Sequence, residues 1–229
     1  MAAAAFLAVL FFVPAVGSAA SAAKKTVYLT FDADMTPGML ARLKNGEVAG
    51  WYDQGLVDYL LQNKIPATIF VTGLFVKAYP DLVKSLAASG NITIGNHTYD
   101  HDAFTDKCYG LRQVGTDARK RWEMLTTQLI IEKTAGVKPT LFRYPGLCSS
   151  SLDDVIVRAA GLTPVGANVV SGDAFNSDVS AIEREVLFRV KNGSVVLMHL
   201  GGPNAPASAA VLEKIKPELE KRGFVFAKL

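Results

Sequence analysis

The feature of this sequence that most restricts its fold is a regular alternation between β-rich runs and helical runs. Thr26–Phe31 and Ala67–Thr72 are short runs rich in β-branched and aromatic residues, and Ser194–His199 repeats that pattern later in the chain. Apolar residues at helical spacing lie between them, most clearly in Val114–Thr134. Strands that alternate with helices favour a parallel α/β architecture, either a barrel or an open sheet. Such folds place their chemistry at the carboxyl ends of the strands.

Shorter runs complete the predicted alternation. The remaining predicted strands are Asn91–Gly95, Thr140–Arg143, Pro164–Val170 and Phe224–Ala227. The remaining predicted helices are Gly55–Gln62, Pro80–Ala88, Leu152–Ala160, Ala181–Lys191 and Ala209–Lys221. The irregular segment Thr36–Asp53 is expected to be a loop at the rim of the fold, and one domain over residues 24–229 is the simplest organisation.

The first 23 residues differ in composition from the rest of the chain. Residues 1–23 carry no charged side chain, and an apolar stretch is followed by small residues from Gly17 to Ala23. This pattern is typical of a cleaved secretion signal, and the apolar stretch is short for a transmembrane helix. We therefore expect a signal over 1–23 and a secreted or periplasmic protein with no membrane association after cleavage. An uncleaved anchor is the alternative.

Charge and cysteine content exclude several classes of protein. The 24 Lys and Arg residues against 21 Asp and Glu residues give a net charge of +3 without a basic cluster, so no nucleic-acid partner is expected. Two cysteines exclude a disulfide-dense scaffold and a four-cysteine zinc site. In an oxidising compartment Cys108 and Cys148 either pair or remain two buried thiols, and the sequence leaves both possibilities open.

Charged side chains, including all three histidines, follow the predicted strands. They are Asp32, Asp34, His97, His101, Arg143, Asp173 and His199. The spacing of four between His97 and His101 would place both imidazoles on one side of a helical turn, within reach of one cation. A carboxylate from another strand end would complete a three-ligand site of the kind found in catalytic zinc centres.

The two aspartates of the first strand lie on the same side of an extended chain. Because Asp32 and Asp34 repel each other when both are ionised, they need a cation or a proton between them. One could bind a metal while the other takes a proton from water, although an acidic turn is the alternative. His199 ends an apolar strand and is either a hydrogen-bonded core histidine or an acid–base group.

The order and composition of these segments resemble the polysaccharide deacetylases. That family comprises metal-dependent carbohydrate esterases, including chitin, peptidoglycan and nodulation-factor deacetylases and some xylan esterases. The matching segments are Leu29–Asp34, Ala67–Gly73, His97–His101, Phe142–Gly146, Ser171–Phe175 and Leu197–His199. The resemblance covers nearly all of residues 24–229 and implies that they form a catalytic domain, a distorted or incomplete (β/α) barrel.

The resemblance also implies a role for each polar residue. The metal ligands would be Asp34, His97 and His101. The catalytic residues would be Asp32 as general base, His199 as general acid, Asp173 as the group that holds and charges His199, and Arg143 as the group that orients Asp32 or lines the groove. The substrate-binding residues would be Tyr144, Phe175 and Gly146, whose backbone N–H would help to form the oxyanion site.

Three positions depart from the family pattern. Ala33 separates aspartates that are usually adjacent, and Phe175 stands where a tryptophan is common. The third motif lacks an aromatic residue at Gly146, and Tyr144 is expected to substitute from a different direction. These departures leave the chemistry intact but leave the substrate preference open.

The resemblance implies hydrolysis of N-acetyl groups on N-acetylglucosamine-containing polysaccharide, either chitin oligomers or peptidoglycan. An O-acetyl xylan esterase on the same fold is one alternative. A catalytically inactive sugar-binding protein of the cell envelope is another, and its expected signature is the loss of Asp32 or His199, both of which are present. The cofactor would be a divalent metal, Zn²⁺ first and Co²⁺ or Ni²⁺ next. The sequence does not indicate an oligomeric state.

Overall fold

The structure, a computed structural model, describes residue 1 and residues 24–229. The expected secretion signal therefore lies outside the described residues, apart from its first residue. Within the described part of the chain, no helix combines the length and the apolar character needed to cross a membrane.

Eight parallel strands form one sheet within residues 24–229. The strands are β1 (Lys25–Ala33), β2 (Ala67–Val71), β3 (Ile92–Asn96), β4 (Leu141–Phe142), β5 (Thr163–Pro164), β6 (Val169–Val170), β7 (Ser194–His199) and β8 (Phe224–Ala227). Their order across the sheet is β5-β4-β3-β2-β1-β7-β6, and β8 pairs with the first half of β1. Because all ladders are parallel, the carboxyl ends of the strands meet at one edge of the sheet.

Strand β1 is the centre of the sheet and of the core. Val27, Leu29 and Phe31 are fully buried, and they belong to the larger of two apolar clusters. The register places Asp32 opposite His199 of β7 on one side and opposite Phe70 of β2 on the other. The sheet therefore aligns the end of β1 with the ends of its two neighbours.

The segment predicted as a single strand, Pro164–Val170, is divided in the structure. Its first residue ends β5 and its last residues form β6, and these two strands occupy opposite ends of the sheet path. Residues 165–168 alone connect them, and a link of this length spans at most about 17 Å. The sheet must therefore curl until its two outer strands come close, which gives an incomplete barrel and confirms the predicted fold class.

Eight α-helices surround the sheet in residues 24–229. They are α1 (Pro37–Lys44), α2 (Gln54–Gln62), α3 (Gly73–Ala78), α4 (Pro80–Ala88), α5 (Asp117–Ala135), α6 (Ser151–Ala159), α7 (Val179–Arg189) and α8 (Ser208–Lys221). A 3₁₀ turn covers Pro145–Leu147. The expectation of an irregular Thr36–Asp53 segment is wrong in its first half, where Thr36 caps α1 and Pro37 occupies the first turn.

Helix α5 was predicted within a few residues, but its apolar stripe does not face the sheet. Trp122, Leu125 and Leu129 are 40%, 47% and 55% exposed. The buried face instead carries Glu123, Met124, Thr127, Gln128 and Ile131. The buried Glu123 on this helix therefore points toward the loop that follows β3 at the carboxyl edge of the sheet.

Candidate active site

The ends of β1, β3 and β7 open onto one cavity of about 420 Å³. Its polar wall contains Asp32, Asp34, His101 and His199. Its remaining lining residues are Tyr109, Leu111, Gly146, Leu147, Cys148, Val170, Gly172, Ala174, Phe175 and Leu197. The parallel sheet has thus gathered the side chains that the sequence placed after separate strands.

Asp34, His97 and His101 converge on a common point. Asp34 Oδ1 lies 3.3 Å from His97 Nε2 and 3.4 Å from His101 Nε2, and one ligand atom from each residue lies within 4.8 Å of the others. His97 Nδ1 donates to the carbonyl oxygen of Arg143 at 2.8 Å, so Nε2 presents its lone pair to Asp34.

Two buried acceptors in this triad have no hydrogen-bond partner among the described residues, namely Asp34 Oδ1 and His97 Nε2. Facing lone pairs at this distance repel, and burying them unpaired costs free energy unless a proton or a cation lies between them. Two imidazoles and a carboxylate are a donor set that Zn²⁺ and neighbouring divalent ions accept. The residues present therefore fit a divalent cation.

The charge of the triad is set by its histidines. Burial by itself would raise the pKa of Asp34, but the neighbouring imidazoles of His101, His97 and His199 outweigh it and hold that pKa well below its usual range. Burial lowers the pKa of His101, against the attraction of Asp34. Asp34 is therefore ionised and available as an oxygen ligand.

The loop that carries both histidines is not the predicted helical turn. Thr98 and His101 have φ angles of +69° and +66°, in the left-handed region. The loop is held instead by side chains: Thr98 Oγ1 accepts from the backbone N–H of His101 at 3.1 Å, and Glu123 Oε2 accepts from the N–H groups of Tyr99 at 2.8 Å and Asp100 at 3.3 Å. A loop fixed from α5 thus brings the imidazoles together.

Glu123 belongs to a second acidic cluster that sequence analysis missed. Arg119 Nη2 lies 2.7 Å from Glu123 Oε1, and Arg112 Nη2 lies 2.7 Å from Asp100 Oδ2 and 2.8 Å from Asp102 Oδ2. Burial and the Asp100 carboxylate raise the pKa of Glu123 to about 7. The two arginines offset most of the negative charge of this cluster. The cluster in turn holds the histidine loop in place through the hydrogen bonds to Glu123. A glutamate within a helical pattern gives no sequence signal of such a role.

Arg143 lies beneath Asp32 and not along the groove. Its guanidinium is fully buried above the ring of Phe70, with 4.2 Å from Cζ to the ring centroid. Nη1 donates to Asp32 Oδ1 at 2.9 Å and to Thr30 Oγ1 at 2.7 Å. The other carboxylate oxygen of Asp32 lies 3.6 Å from His97 Nε2. Of the two predicted roles for Arg143, the structure therefore supports the orientation of Asp32.

His199 lies on the opposite side of Asp34, with 3.7 Å between Nε2 and Asp34 Oδ2. Its Nδ1 donates to Asp173 Oδ1 at 2.8 Å and its backbone N–H donates to Asp173 Oδ2 at 2.8 Å. Ser171 and Ser208, which were not predicted, donate hydroxyl hydrogen bonds to the same carboxylate. Burial opposes the charging of His199, but Asp173 and Asp34 prevail and raise the pKa of His199 to about 9.

One of the three predicted substrate-binding residues, Tyr144, is absent from the cavity lining. Tyr144 is 5% exposed, packs in the second apolar cluster with Phe104 and Phe142, and donates its hydroxyl to Asp154 at 2.9 Å. Tyr144 is therefore buried in this cluster and does not line the cavity, so the predicted substrate contact is wrong. Gly146 and Phe175 do line the cavity.

A disulfide joins the two loops beside that rim. Cys108, after β3, is bonded to Cys148, after β4, which decides between the two possibilities that the sequence left open. Tyr109 follows Cys108 directly and lines the cavity. Sequence analysis did not single out Tyr109, because no local pattern placed its loop over the strand ends.

Comparison with known proteins agrees with this geometry. Residues 19–165 match the family model described as polysaccharide deacetylase. A peptidoglycan-N-acetylglucosamine deacetylase from Bacillus cereus is 29% identical over 208 residues, covering 88% of this chain and 91% of the relative. A chitooligosaccharide deacetylase from Sinorhizobium fredii is 30% identical over 216 residues, covering 89% of this chain and 90% of the relative.

A solved structure of similar sequence identity has the same fold. A family 4 acetyl xylan esterase from Clostridium thermocellum, in complex with a cobalt ion, superposes with a TM-score of 0.70 and 25% identity, covering 89% of this chain and 88% of that protein. The family model covers more than half of the chain, and its match includes the first strand and the histidine loop. The chain therefore belongs to the polysaccharide deacetylase family.

Proposed function

We propose that this protein is a metal-dependent hydrolase that removes N-acetyl groups from N-acetylglucosamine-containing polysaccharide, either chitin oligomers or peptidoglycan. The observation that carries the proposal is the convergence of Asp34, His97 and His101, with unpartnered buried lone pairs, between the acid–base groups Asp32 and His199 in one cavity. The names of the Bacillus and Sinorhizobium relatives support the substrate class.

The first requirement of amide hydrolysis is an activated water and a polarised carbonyl group. Asp34, His97 and His101 would hold a divalent cation, which when bound supplies Lewis-acid chemistry for both. Asp32 lies beside this triad, and Arg143 directs its Oδ1 by a 2.9 Å hydrogen bond. That bond leaves Asp32 Oδ2 as the oxygen that accepts a proton from the attacking water.

The second requirement is stabilisation of the negative charge on the carbonyl oxygen. Gly146 lines the same cavity as Asp32 and His199, and its backbone N–H would donate to that oxygen. Gly146 has a φ of +62°, a conformation that is costly for other residues. A glycine at this position therefore allows the backbone to form this part of the wall.

The third requirement is a proton for the amine that leaves. His199 is held by Asp173 and has a raised pKa, so it carries a proton near neutrality. It donates that proton to the departing nitrogen, since an amine without a proton is a poor leaving group. Water and the acetamide are thereby converted into acetic acid and a free amino group on the sugar. Asp32 then releases the proton that it took from water and His199 takes one up, which restores both groups for the next turnover.

An O-acetyl xylan esterase is the second candidate function, favoured by the similarity to the Clostridium acetyl xylan esterase. The same cavity residues serve ester and amide hydrolysis, because both reactions pass through an oxyanion. The amide requires more of His199, since an alkoxide leaves more readily than an unprotonated amine. N-deacetylation is placed first because the Bacillus and Sinorhizobium relatives, which match over about nine tenths of their length, are named as deacetylases of N-acetylated saccharides.

One screen tests the proposed function against its rivals. Purified protein would be incubated with chitin oligomers, peptidoglycan and acetyl-xylan, with and without a chelator, and acetate would be quantified. We expect acetate from the N-acetylated polymers, loss of release with chelator, and recovery after addition of Zn²⁺ or Co²⁺. Release from acetyl-xylan alone would identify an esterase. No release from any polymer in the presence of metal would favour an inactive sugar-binding protein.

We also propose Zn²⁺ as the physiological metal and export from the cytoplasm, with residues 1–23 as the cleaved signal and 24–229 as the catalytic domain. Two imidazoles and a carboxylate support the choice of metal. The uncharged apolar composition of residues 1–23 supports export. N-terminal sequencing of the exported protein and metal analysis of the purified enzyme test both proposals.

A further inference from the structure

Two large aromatic side chains lie exposed at the mouth of the catalytic cavity. Tyr109 is 72% exposed and Phe175 is 77% exposed, although they come from different loops, after β3 and after β6. Their ring centroids are 5.7 Å apart and the ring planes differ by 36°. Both rings line the cavity that contains Asp32 and His199. Exposed apolar surface at the mouth of a cavity is a recurrent feature of ligand-binding sites.

The loop that carries Tyr109 is held in its conformation by backbone hydrogen bonds and by a disulfide. Backbone hydrogen bonds from Ala103 to Arg112 and from Val114 back to Ala103 close the base of the loop. Lys107 and Tyr109 have φ angles of +54° and +50°, which residues other than glycine adopt at a cost. The disulfide from Cys108 ties the strained segment to the loop after β4. Tyr109 is therefore held over the cavity by a covalent link one residue away.

The disulfide and the Tyr109 ring fill the space that a side chain at position 146 would occupy. A Cβ atom at Gly146 would lie 2.6 Å from Cys108 Sγ and 3.1 Å from Tyr109 Cδ2. No side chain larger than hydrogen fits there without a shift of these groups. Position 146 is where the third motif usually carries an aromatic residue, and Tyr144 is buried elsewhere. The aromatic wall of the cavity is thus supplied by a different loop.

We propose that Tyr109, held in place by the Cys108–Cys148 disulfide, forms with Phe175 an aromatic platform that stacks against a sugar ring of the substrate. This inference rests on the proposed function, because it assumes a saccharide in the cavity. A pyranose ring presents axial C–H groups on its faces, and flat amphipathic rings offer a large apolar surface that stays fixed at low entropic cost. The platform contacts a part of the saccharide that does not react, so it binds the ground state and the transition state equally. Its loss should therefore raise KM and leave kcat unchanged.

The first test compares Tyr109→Leu and Phe175→Leu with a matched control, Phe188→Leu, which removes an 87% exposed ring of α7 that does not line the cavity. On the acetylated oligomer that wild type hydrolyses best, we expect each platform variant to raise KM by about tenfold, with kcat within about twofold. Phe188→Leu should leave both constants unchanged. Tyr109→Phe, which keeps the ring, should restore KM toward the wild-type value.

The second test concerns the disulfide. The double variant Cys108→Ser/Cys148→Ser avoids thiol reductants, which bind divalent metals. We expect it to raise KM as Tyr109→Leu does, and the triple variant with Tyr109→Leu to show no further increase, since both changes remove one interaction. Circular dichroism and metal content would establish that the variants are folded and loaded. If the double variant does not fold, the Tyr109→Leu and Phe175→Leu comparison decides alone.

Failure of the platform and failure of the proposed function give different results. If wild type releases no acetate from any saccharide, the dissociation constant of a chitin oligomer, measured by calorimetry, replaces KM in the same comparison. Weaker binding in both leucine variants supports the platform. Unchanged KM or unchanged dissociation constants in Tyr109→Leu and Phe175→Leu, or no saccharide binding by wild type, would overturn it.

Discussion

The replacement Asp173→Asn tests whether the general acid depends on a buried carboxylate. Asp173 accepts hydrogen bonds from the ring and the backbone of His199 and from the hydroxyls of Ser171 and Ser208. Asparagine has almost the same shape, but it has no charge and turns one acceptor oxygen into an N–H₂ donor. The variant therefore leaves the cavity shape in place and weakens the hold on the imidazolium.

The size of the effect follows from the pKa of His199. Burial lowers that pKa, yet Asp173 and Asp34 raise it from 6.5 to about 9, a difference of about 3 kcal/mol in favour of the charged form. The hydrogen bond to Asp173 is the largest of the contributions that raise the pKa of His199. The lowering of that pKa by burial would remain after the hydrogen bond is weakened. We expect the pKa of His199 to fall by at least about one unit in Asp173→Asn. His199 then loses its proton at lower pH, so the basic limb of the activity profile moves down.

The assay is kcat/KM for acetate release between pH 5 and 10, at saturating metal. For a fall of about one unit, kcat/KM of Asp173→Asn should drop about twofold at pH 8 and about fivefold at pH 9, with little loss at pH 6, so that its basic limb is displaced to lower pH. Ser208→Ala is the matched control, because it removes one hydrogen bond from the same carboxylate and keeps the charge. An unmoved basic limb in Asp173→Asn, or an equal displacement in Ser208→Ala, would refute the assignment of His199 as the acid.

Three further predictions concern the other groups of the site. Asp32→Asn should lower kcat by about a hundredfold or more while metal content stays at the wild-type value, because Asp32 is outside the ligand triad; loss of metal would contradict that separation. His97→Ala should lose both metal and activity, as seen by metal analysis and acetate assay, and a loaded but inactive variant would point to a different ligand set. Arg143→Met leaves a buried carboxylate unpaired, so the free energy of unfolding in urea should fall by about 3–5 kcal/mol; a change below about 1 kcal/mol would contradict the buried pair.

The architecture was predictable because the strongest local patterns agree with the fold. The β-rich runs of β1 and β7 are buried strands whose ends carry Asp32 and His199, and parallel pairing brings such ends together. The segment Pro164–Val170 shows the limit, because a β-rich pattern does not reveal that its two halves pair with strands at opposite ends of a curled sheet.

The residues that form the candidate site were mostly predictable from the sequence, whereas the residues that hold them in place were not. The spacing of His97 and His101 suits a helical turn, but the loop reaches its shape through Glu123 on α5. That contact spans more than 20 positions of the chain, and no local pattern reports it. Tyr144 was expected at the cavity, but Tyr109, for which sequence analysis made no prediction, lines it instead. The reason is similar, because the second apolar cluster and the disulfide decide which aromatic ring reaches the cavity.

The most direct test of the account is the location of the metal. Crystals of the metal-free protein soaked in Co²⁺ would be measured on both sides of the cobalt absorption edge, and the anomalous difference map would be inspected. We expect one strong peak per chain, bounded by Asp34 Oδ1, His97 Nε2 and His101 Nε2. A peak among Asp100, Asp102 and Glu123 instead, or no peak in crystals whose protein hydrolyses substrate at the full rate, would contradict it.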